Sequence, residues 1–172
     1  IVSFSGGPDS IYLVLKLLET LDRNAIVCVY FEHGLREKSK QSDRKLVKAF
    51  CEQKKVKLII KKIPVMAFAK QTKQSVETSG RQLRKDILWH LANRLQCKSI
   101  VTGHHLNDNA ETFLFQLIRG TKYGLHTIRK PYKINGITWA KPLHNIRKET
   151  LLNTLKESQI DYIKDETNHD IS

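Results

Sequence analysis

The stretch Ile1-Val2-Ser3-Phe4-Ser5-Gly6-Gly7-Pro8-Asp9-Ser10 decides the fold. An apolar run enters a pair of glycines, and Ile11, Val14, Leu15 and Leu18 then recur at i, i+3, i+4 and i+7, so the order is strand, turn, helix. Consecutive glycines let the backbone turn sharply and approach a ligand closely, while Ser5, Asp9 and Ser10 ring the turn with short polar side chains. A helix beginning there aims free N–H groups and its positive dipole end at the loop, an arrangement that holds phosphate or pyrophosphate. The plainer reading is an ordinary turn with Asp9 or Ser10 as helix cap. The local pattern leaves both readings open.

Outward from this stretch, the pattern repeats. Residues 9–21 read as a helix, and Ala25 to Phe31 as a strand apolar enough to be buried on both faces, ended by Glu32-His33-Gly34. A polar helix carrying Leu46, Val47 and Phe50 follows, then a third strand from Val56 to Ile63 closed by Pro64. Val76 to Leu95 reads as a helix with Leu83, Ile87 and Leu91 on one face and Arg81, Arg84 and Lys85 on the other. Ser99 to Thr102 is a short strand stopping at Gly103-His104-His105. The helix that starts near Asn107 should bury Ala110, Phe113, Leu114, Leu117 and Ile118. At 100° per residue, Asp108, Thr112 and Arg119 fall within about 40° of one another on a different face, with Glu111 beside them. Ile134 to Ala140 suits a short hairpin or edge strand, and Arg147 to Ser158 a last helix capped by Asn145. Alternating strands and helices imply right-handed crossovers and an α/β fold: a doubly wound, mostly parallel five-stranded sheet with helices on both faces. Without repeat, linker or composition shift, residues 1–172 read as one domain.

Thirty Lys and Arg against 17 Asp and Glu leave a net charge of +13, which points to a polyanionic partner. RNA or DNA fits better than a membrane, because the basic residues are dispersed and no apolar run approaches the roughly 20 residues of a span. Cys28, Cys51 and Cys97 are widely spaced in apolar surroundings and read as core residues of a reducing compartment, not as a disulfide or zinc framework. Walker-type, Gly-x-Gly-x-x-Gly and serine-elbow motifs are absent from the sequence.

In an open α/β sheet, ligands bind beyond the carboxyl ends of the strands where strand order reverses. Three segments fall at such ends: Ser5–Ser10, Glu32-His33 and Gly103-His104-His105. Adjacent histidines diverge on leaving a strand, so phosphate contact or helix-end packing suits His104 and His105 better than metal ligation. Asp108-x-x-Glu111 before an apolar run is a capping-box pattern; the alternative is that a carboxylate there holds magnesium on nucleotide phosphates. Arg81 and Arg84 are either solvated or phosphate ligands.

Ser5-Gly6-Gly7-Pro8-Asp9-Ser10 resembles the signature of the PP-loop ATP pyrophosphatases, which have an adenine nucleotide alpha hydrolase-like fold. Glu32-His33-Gly34-Leu35-Arg36, Glu77 through Arg81 and Arg84, Gly103 through Thr112, Arg119-Gly120-Thr121, Lys141-Pro142-Leu143, Arg147 and Asp165 through Asn168 resemble, in order, the blocks of the tRNA(Ile)-lysidine synthetase family. The resemblance implies a ligase. ATP adenylates the wobble cytidine of a CAU anticodon in a minor isoleucine tRNA, pyrophosphate leaves, and free L-lysine displaces AMP. By motif, Ser5, Gly6, Gly7 and Ser10 would cradle pyrophosphate, Asp9 would act through Mg2+, with Asp108 as a second metal candidate, and the backbone near Tyr30, Phe31 and His33 would meet adenine. Arg81, Arg84, Gly103, His104, Asp108, Glu111, Thr112 and Arg119 would line the nucleotide and the reacting cytidine. The setting implied is the cytoplasm or an equivalent organelle compartment, without a membrane partner and with a homodimer as one assembly to be tested.

The chain departs from the family at Asn107 for aspartate, Glu32 for asparagine, Lys85 for tyrosine and Lys141 for arginine. It begins without methionine and stops soon after Asp170, so the expectation is either a compact version or a fragment lacking N-terminal residues and C-terminal tRNA-binding domains. Two rival readings are a tRNA thiolase of the same superfamily, which would need a suitable cysteine pair, and a nucleotide- or RNA-binding module without catalysis.

Overall fold

The computed structural model describes the backbone of residues 1–32, 37–119 and 131–164, and within these the side chains other than those of 37–40, 115 and 119. Six strands form one sheet: β1 (Val2–Phe4), β2 (Val27–Glu32), β3 (Lys57–Lys62), β4 (Ser99–Thr102), β5 (Tyr132–Ile134) and β6 (Ile137–Ala140), in the order β3-β2-β1-β4-β6-β5. All neighbours are parallel except β5 and β6. The helices are α1 (Pro8–Leu18), α2 (Glu37–Gln53), α3 (Val65–Thr72), α4 (Val76–Arg94), α5 (Leu106–Arg119) and α6 (Lys148–Glu157).

The doubly wound plan holds, with one more strand than expected. Asn135 and Gly136 both take positive φ, 47° and 82°, which makes a two-residue hairpin turn whose twist matches that of the flanking strands. Its second arm, β6, is not an edge: it inserts beside β4 and leaves β5 as the antiparallel border. Helix α3 was also absent from the sequence reading; it follows Pro64 and buries Val65 and Ala69.

Alternate residues of the central strands feed two cores. Val2, Phe4, Cys28 and Tyr30 pack with Ile11 and Leu13 of α1, Val47 and Phe50 of α2, and Leu151 and Leu155 of α6. Ile1, Val27, Val29, Phe31 and Ile100 pack on the opposite side with Val65 of α3 and Leu88, Leu91 and Ala92 of α4. A sheet covered on both faces explains why β2 reads as an uninterrupted apolar run.

Helix α5 contradicts the periodicity argument. Its apolar stripe does not sit on the sheet: Leu114 is 55% exposed, Leu117 50% and Ile118 81%. The expected cap of α6 is also corrected. Arg147, not Asn145, holds the N-cap position without a side-chain bond, and the amide of Lys148 donates to Asn107 Oδ1 of α5 at 3.1 Å.

These placements predict opposite mutational costs. Leu151→Ala, at a fully buried position, should cost about 2–5 kcal/mol in urea denaturation. Ile118→Ser should stay within about 0.5 kcal/mol; a cost near that of Leu151→Ala would mean that the α5 stripe is packed after all.

Candidate active site

The chain winds away from β1 in both directions, to β2 on one side and β4 on the other, so the loops after β1 and β4 open side by side at the reversal of strand order. They meet at Gly103. A Cβ there would stand 3.1 Å from the backbone C and O of Asp9 and 3.2 Å from the amide of Ser10, so any other residue would push the two backbones apart by a few tenths of an ångström. Gly6 is the second constrained glycine. Its φ is +77°, and a Cβ would come within 2.6 Å of Ile163 Cδ1 and 2.8 Å of Val47 Cγ2. The Ile163 amide donates to Gly6 O at 2.9 Å, tying the segment after α6 to the loop.

Ser10 is not a free ligand. Its buried hydroxyl donates to Gly7 O at 2.9 Å and accepts from the Ser5 amide at 3.2 Å, while Ser5 Oγ accepts from the Gly7 amide at 3.2 Å. The loop is therefore shaped by its own hydroxyls. The expected cap by Asp9 or Ser10 is replaced by Gly7 at the N-cap and Pro8 in the first turn, where a missing N–H costs nothing. The remaining first-turn amides of α1 have no intrahelical acceptor and face the loop.

Asp9 and Asp108 are bridged by His105, which is only 2% exposed. The His105 amide donates to Asp108 Oδ2 at 2.8 Å and the Asp108 amide donates back to His105 Nδ1 at 3.4 Å. This is a capping box, but it runs from His105 to Asp108; the expected Asp108–Glu111 box is not formed. The other ring nitrogen, Nε2, stands 3.5 Å from Asp9 Oδ1. That contact is long for a hydrogen bond, and Asp9 Oδ1 is buried with no hydrogen-bonded partner among the described residues. Burial pushes the Asp9 carboxyl above its ordinary range, His105 and Lys148 oppose this, and Asp108 adds to it.

A cleft of about 530 Å³ opens from these loops. Ser3, Ser5, Asp9 and Ser10 form its floor with Thr102, Gly103, His104 and Asp108; Arg81, Arg84 and Lys85 of α4 form one wall; Tyr132, Trp139 and Lys141 form another. Arg84 donates from Nε to Gly80 O at 3.2 Å, and its guanidinium is lowered by burial and then by Arg81, though it stays charged. Arg81 is exposed and lies 3.5 Å from Glu77. Burial and Arg81 likewise lower Lys141. His104 shares a 2.9 Å hydrogen bond with the Thr102 hydroxyl. The residue keeps some exposure, but burial first and Lys141 next bring its ring down to about 4, so it is neutral near pH 7.

Several expected residues stand elsewhere. The Tyr30 and Phe31 side chains are committed to the two cores, which leaves only their backbone for a ligand. Glu111 and Thr112 are exposed and outside the cleft walls, Thr112 donating to Asp108 O at 2.7 Å. His33 and the side chain of Arg119 lie outside the described residues. The Trp139 wall escaped the sequence reading, although Lys141-Pro142-Leu143 flagged its end; insertion of β6 parallel to β4 brings Ala140 and Lys141 to the carboxyl edge.

Three of the four departures meet a partner, and the fourth, Lys141, lines the cleft. Glu32 faces Arg44 at 3.4 Å, and the Lys85 ammonium lies over the Trp139 ring at 6.0 Å. Asn107 is turned to α6, so it is absent from the cleft wall.

A polyanion-sized cleft at the reversal point of a doubly wound sheet, beneath a glycine loop and a helix N-terminus, defines a nucleotide-binding α/β domain. The chain belongs to the PP-loop domain family, whose match covers residues 1–172. It is 34% identical over 173 residues to a tRNA(Ile)-lysidine synthase of Thermosipho africanus, across 99% of this chain and 39% of that protein. It is 30% identical over 171 residues to a tRNA(Ile)-lysidine synthase of Mycoplasma mycoides subsp. mycoides SC, across 99% and 42%. The chain thus spans about two fifths of the length of these curated relatives. In fold it is similar to the U34-tRNA thiolase NcsA from Methanococcus maripaludis, with a TM-score of 0.74 at 18% identity over 95% of this chain and 58% of that one. It is also similar to the NH3-dependent NAD synthetase from Campylobacter jejuni, with a TM-score of 0.62 at 17% identity over 92% and 63%.

An NMR titration tests the electrostatics. The His104 ring should titrate near pH 4 instead of the ordinary 6.5, and Lys141→Ala should raise the midpoint. Because the unfolded chain takes up this proton first, the fold should lose stability as pH falls from 6.5 through 4, and His104→Gln should flatten that slope. A midpoint at 6 or above would refute the crowded setting.

Proposed function

We propose that this chain modifies tRNA, using ATP to activate the wobble cytidine of a CAU anticodon in a minor isoleucine tRNA and joining free L-lysine to it. The observation that carries the reading is the convergence of Ser5, Asp9, Ser10, Arg84, His104, Asp108 and Lys141 on one cleft. The names of the relatives support the substrate class.

In the first step the ring carbonyl oxygen of cytidine attacks the α-phosphorus, the bond to the β-phosphate breaks, and pyrophosphate departs. Ser5, Gly6, Gly7 and the first amides of α1 receive its developing charge, while Ser10 keeps the loop in shape. In the second step the amine of lysine attacks the activated ring carbon, the carbon–oxygen bond breaks with AMP leaving, and the nitrogen gives up a proton. Arg81, Arg84 and Lys141 hold phosphate and base, and neutral His104 can accept or donate a hydrogen bond without adding charge. The contribution of the protein is mainly positioning.

Magnesium suits this donor set. Among the described residues no three His, Cys, Asp or Glu side chains are grouped so as to hold a metal by themselves, and Asp9 and Asp108 both face the cleft. Magnesium characteristically binds one or two carboxylates together with phosphates and water, and when bound it neutralises charge on the phosphates. The thiolase reading lacks a thiol at the site: Cys28 and Cys51 are buried in the core and Cys97 lies outside the cleft walls.

The test incubates the protein with ATP, Mg2+, labelled lysine and isoleucine tRNA bearing a CAU anticodon. Lysine should be incorporated at the wobble cytidine with AMP and pyrophosphate formed, and Asp9→Ala should slow this at least about 100-fold. Sulfur transfer would favour the thiolase. Binding of ATP or tRNA without pyrophosphate release would leave a binding module.

A further inference from the structure

We propose that His105 is a positioning residue that orients the Asp9 carboxylate, and that this role is separable from its capping of α5. The two roles use different ring atoms. Nδ1 accepts the Asp108 amide at 3.4 Å, so it carries no proton in that arrangement, and the ring N–H is the one on Nε2. Nε2 then turns its N–H toward Asp9 Oδ1 at 3.5 Å.

The neighbourhood of Asp9 leaves few alternatives. Oδ1 is sealed from solvent and has no hydrogen-bonded partner among the described residues, yet the Asp9 side chain as a whole is 35% exposed, so the oxygen that solvent and ligands reach is Oδ2. An unpaired buried carboxylate oxygen is costly, and a donor that closes on it fixes which oxygen points inward. At 3.5 Å the donor stands just beyond ordinary hydrogen-bond distance of Oδ1, within reach of a small side-chain movement. The backbone contact at Gly103 holds the two loops together, so His105 reaches Asp9 from a fixed base.

The inference rests on the proposed activity only for its catalytic consequence; the tautomer and the contact are properties of the chain alone. Two substitutions separate the roles, because the asparagine amide mimics Nδ1 and the glutamine amide mimics Nε2. His105→Asn should keep the helix cap and the melting temperature but lower kcat for pyrophosphate release at least about tenfold, with KM for ATP changed less than threefold. His105→Gln should lose the cap and melt earlier, yet recover most of the lost kcat. A purely structural role predicts the reverse order.

Nitrogen-15 NMR of the histidine-labelled protein without nucleotide supplies the independent readout. His105 should show a protonated Nε2, slow to exchange, whose signal shifts in Asp9→Asn. A protonated Nδ1, or an Nε2 signal indifferent to Asp9→Asn, overturns the proposal whatever the substrate proves to be. If the NMR signature holds but the wild-type protein releases no pyrophosphate with tRNA and lysine, the activity reading fails and the orienting contact stands.

Discussion

The approach of Gly103 to the backbone of Asp9 and Ser10 is the constraint on which the site depends. β1 and β4 are parallel neighbours from which the chain departs in opposite directions, so their two loops must share one small region of space. With hydrogen in place of a Cβ the loops touch; with a methyl group one of the backbones would have to move. That contact brings His105 Nε2 to 3.5 Å from Asp9 Oδ1 and sets Asp9, His104 and Asp108 on one cleft floor.

Around this contact the polar groups fall into two classes. Ser5, Ser10 and the His105–Asp108 cap spend their hydrogen bonds within the loops and make the floor rigid. Arg81, Arg84 and Lys141 converge with little acidic compensation, and burial together with the field of Arg81 makes the charged forms of Arg84 and Lys141 less favourable than in water. Such a cluster gains when a polyanion enters, because each phosphate oxygen relieves both the repulsion and the lost hydration. His104, on the floor beside them, stays neutral near pH 7 and keeps the capacity to accept a hydrogen bond. The net charge of +13 extends the same preference to the whole surface.

The departures from the resembling family show how neighbours absorb a change of side chain. Glu32, nearly buried, is answered by Arg44 of α2, and Lys85 is laid over Trp139. Asn107 matters most, since an aspartate there suggests a metal ligand; in this chain the residue caps α6 and ties it to α5, while Asp108 one position on faces the cleft.

Much was legible in the sequence because it is local. The glycine pair, the apolar run of β2 and the short strand that stops at Gly103 report backbone needs that hold in any context. They placed the β1 loop and the Gly103 segment at strand ends, and hence the site. Periodicity failed at α5, because it reports that a helix has an apolar face and says nothing about whether a neighbour exists to cover it; Ile118 stands in solvent. Capping patterns failed where several candidates competed. Which side chain caps depends on which amide lies within reach, and Asn107 serves one 41 residues away. The sequence by itself determined the alternation of strands and helices and the residues that turn the chain. Only the tertiary structure decided the insertion of β6 beside β4, the Trp139 and Lys141 wall and the place of His105 beneath Asp9, because each is a meeting of segments far apart in the chain whose energy resides in the contact and in neither segment alone.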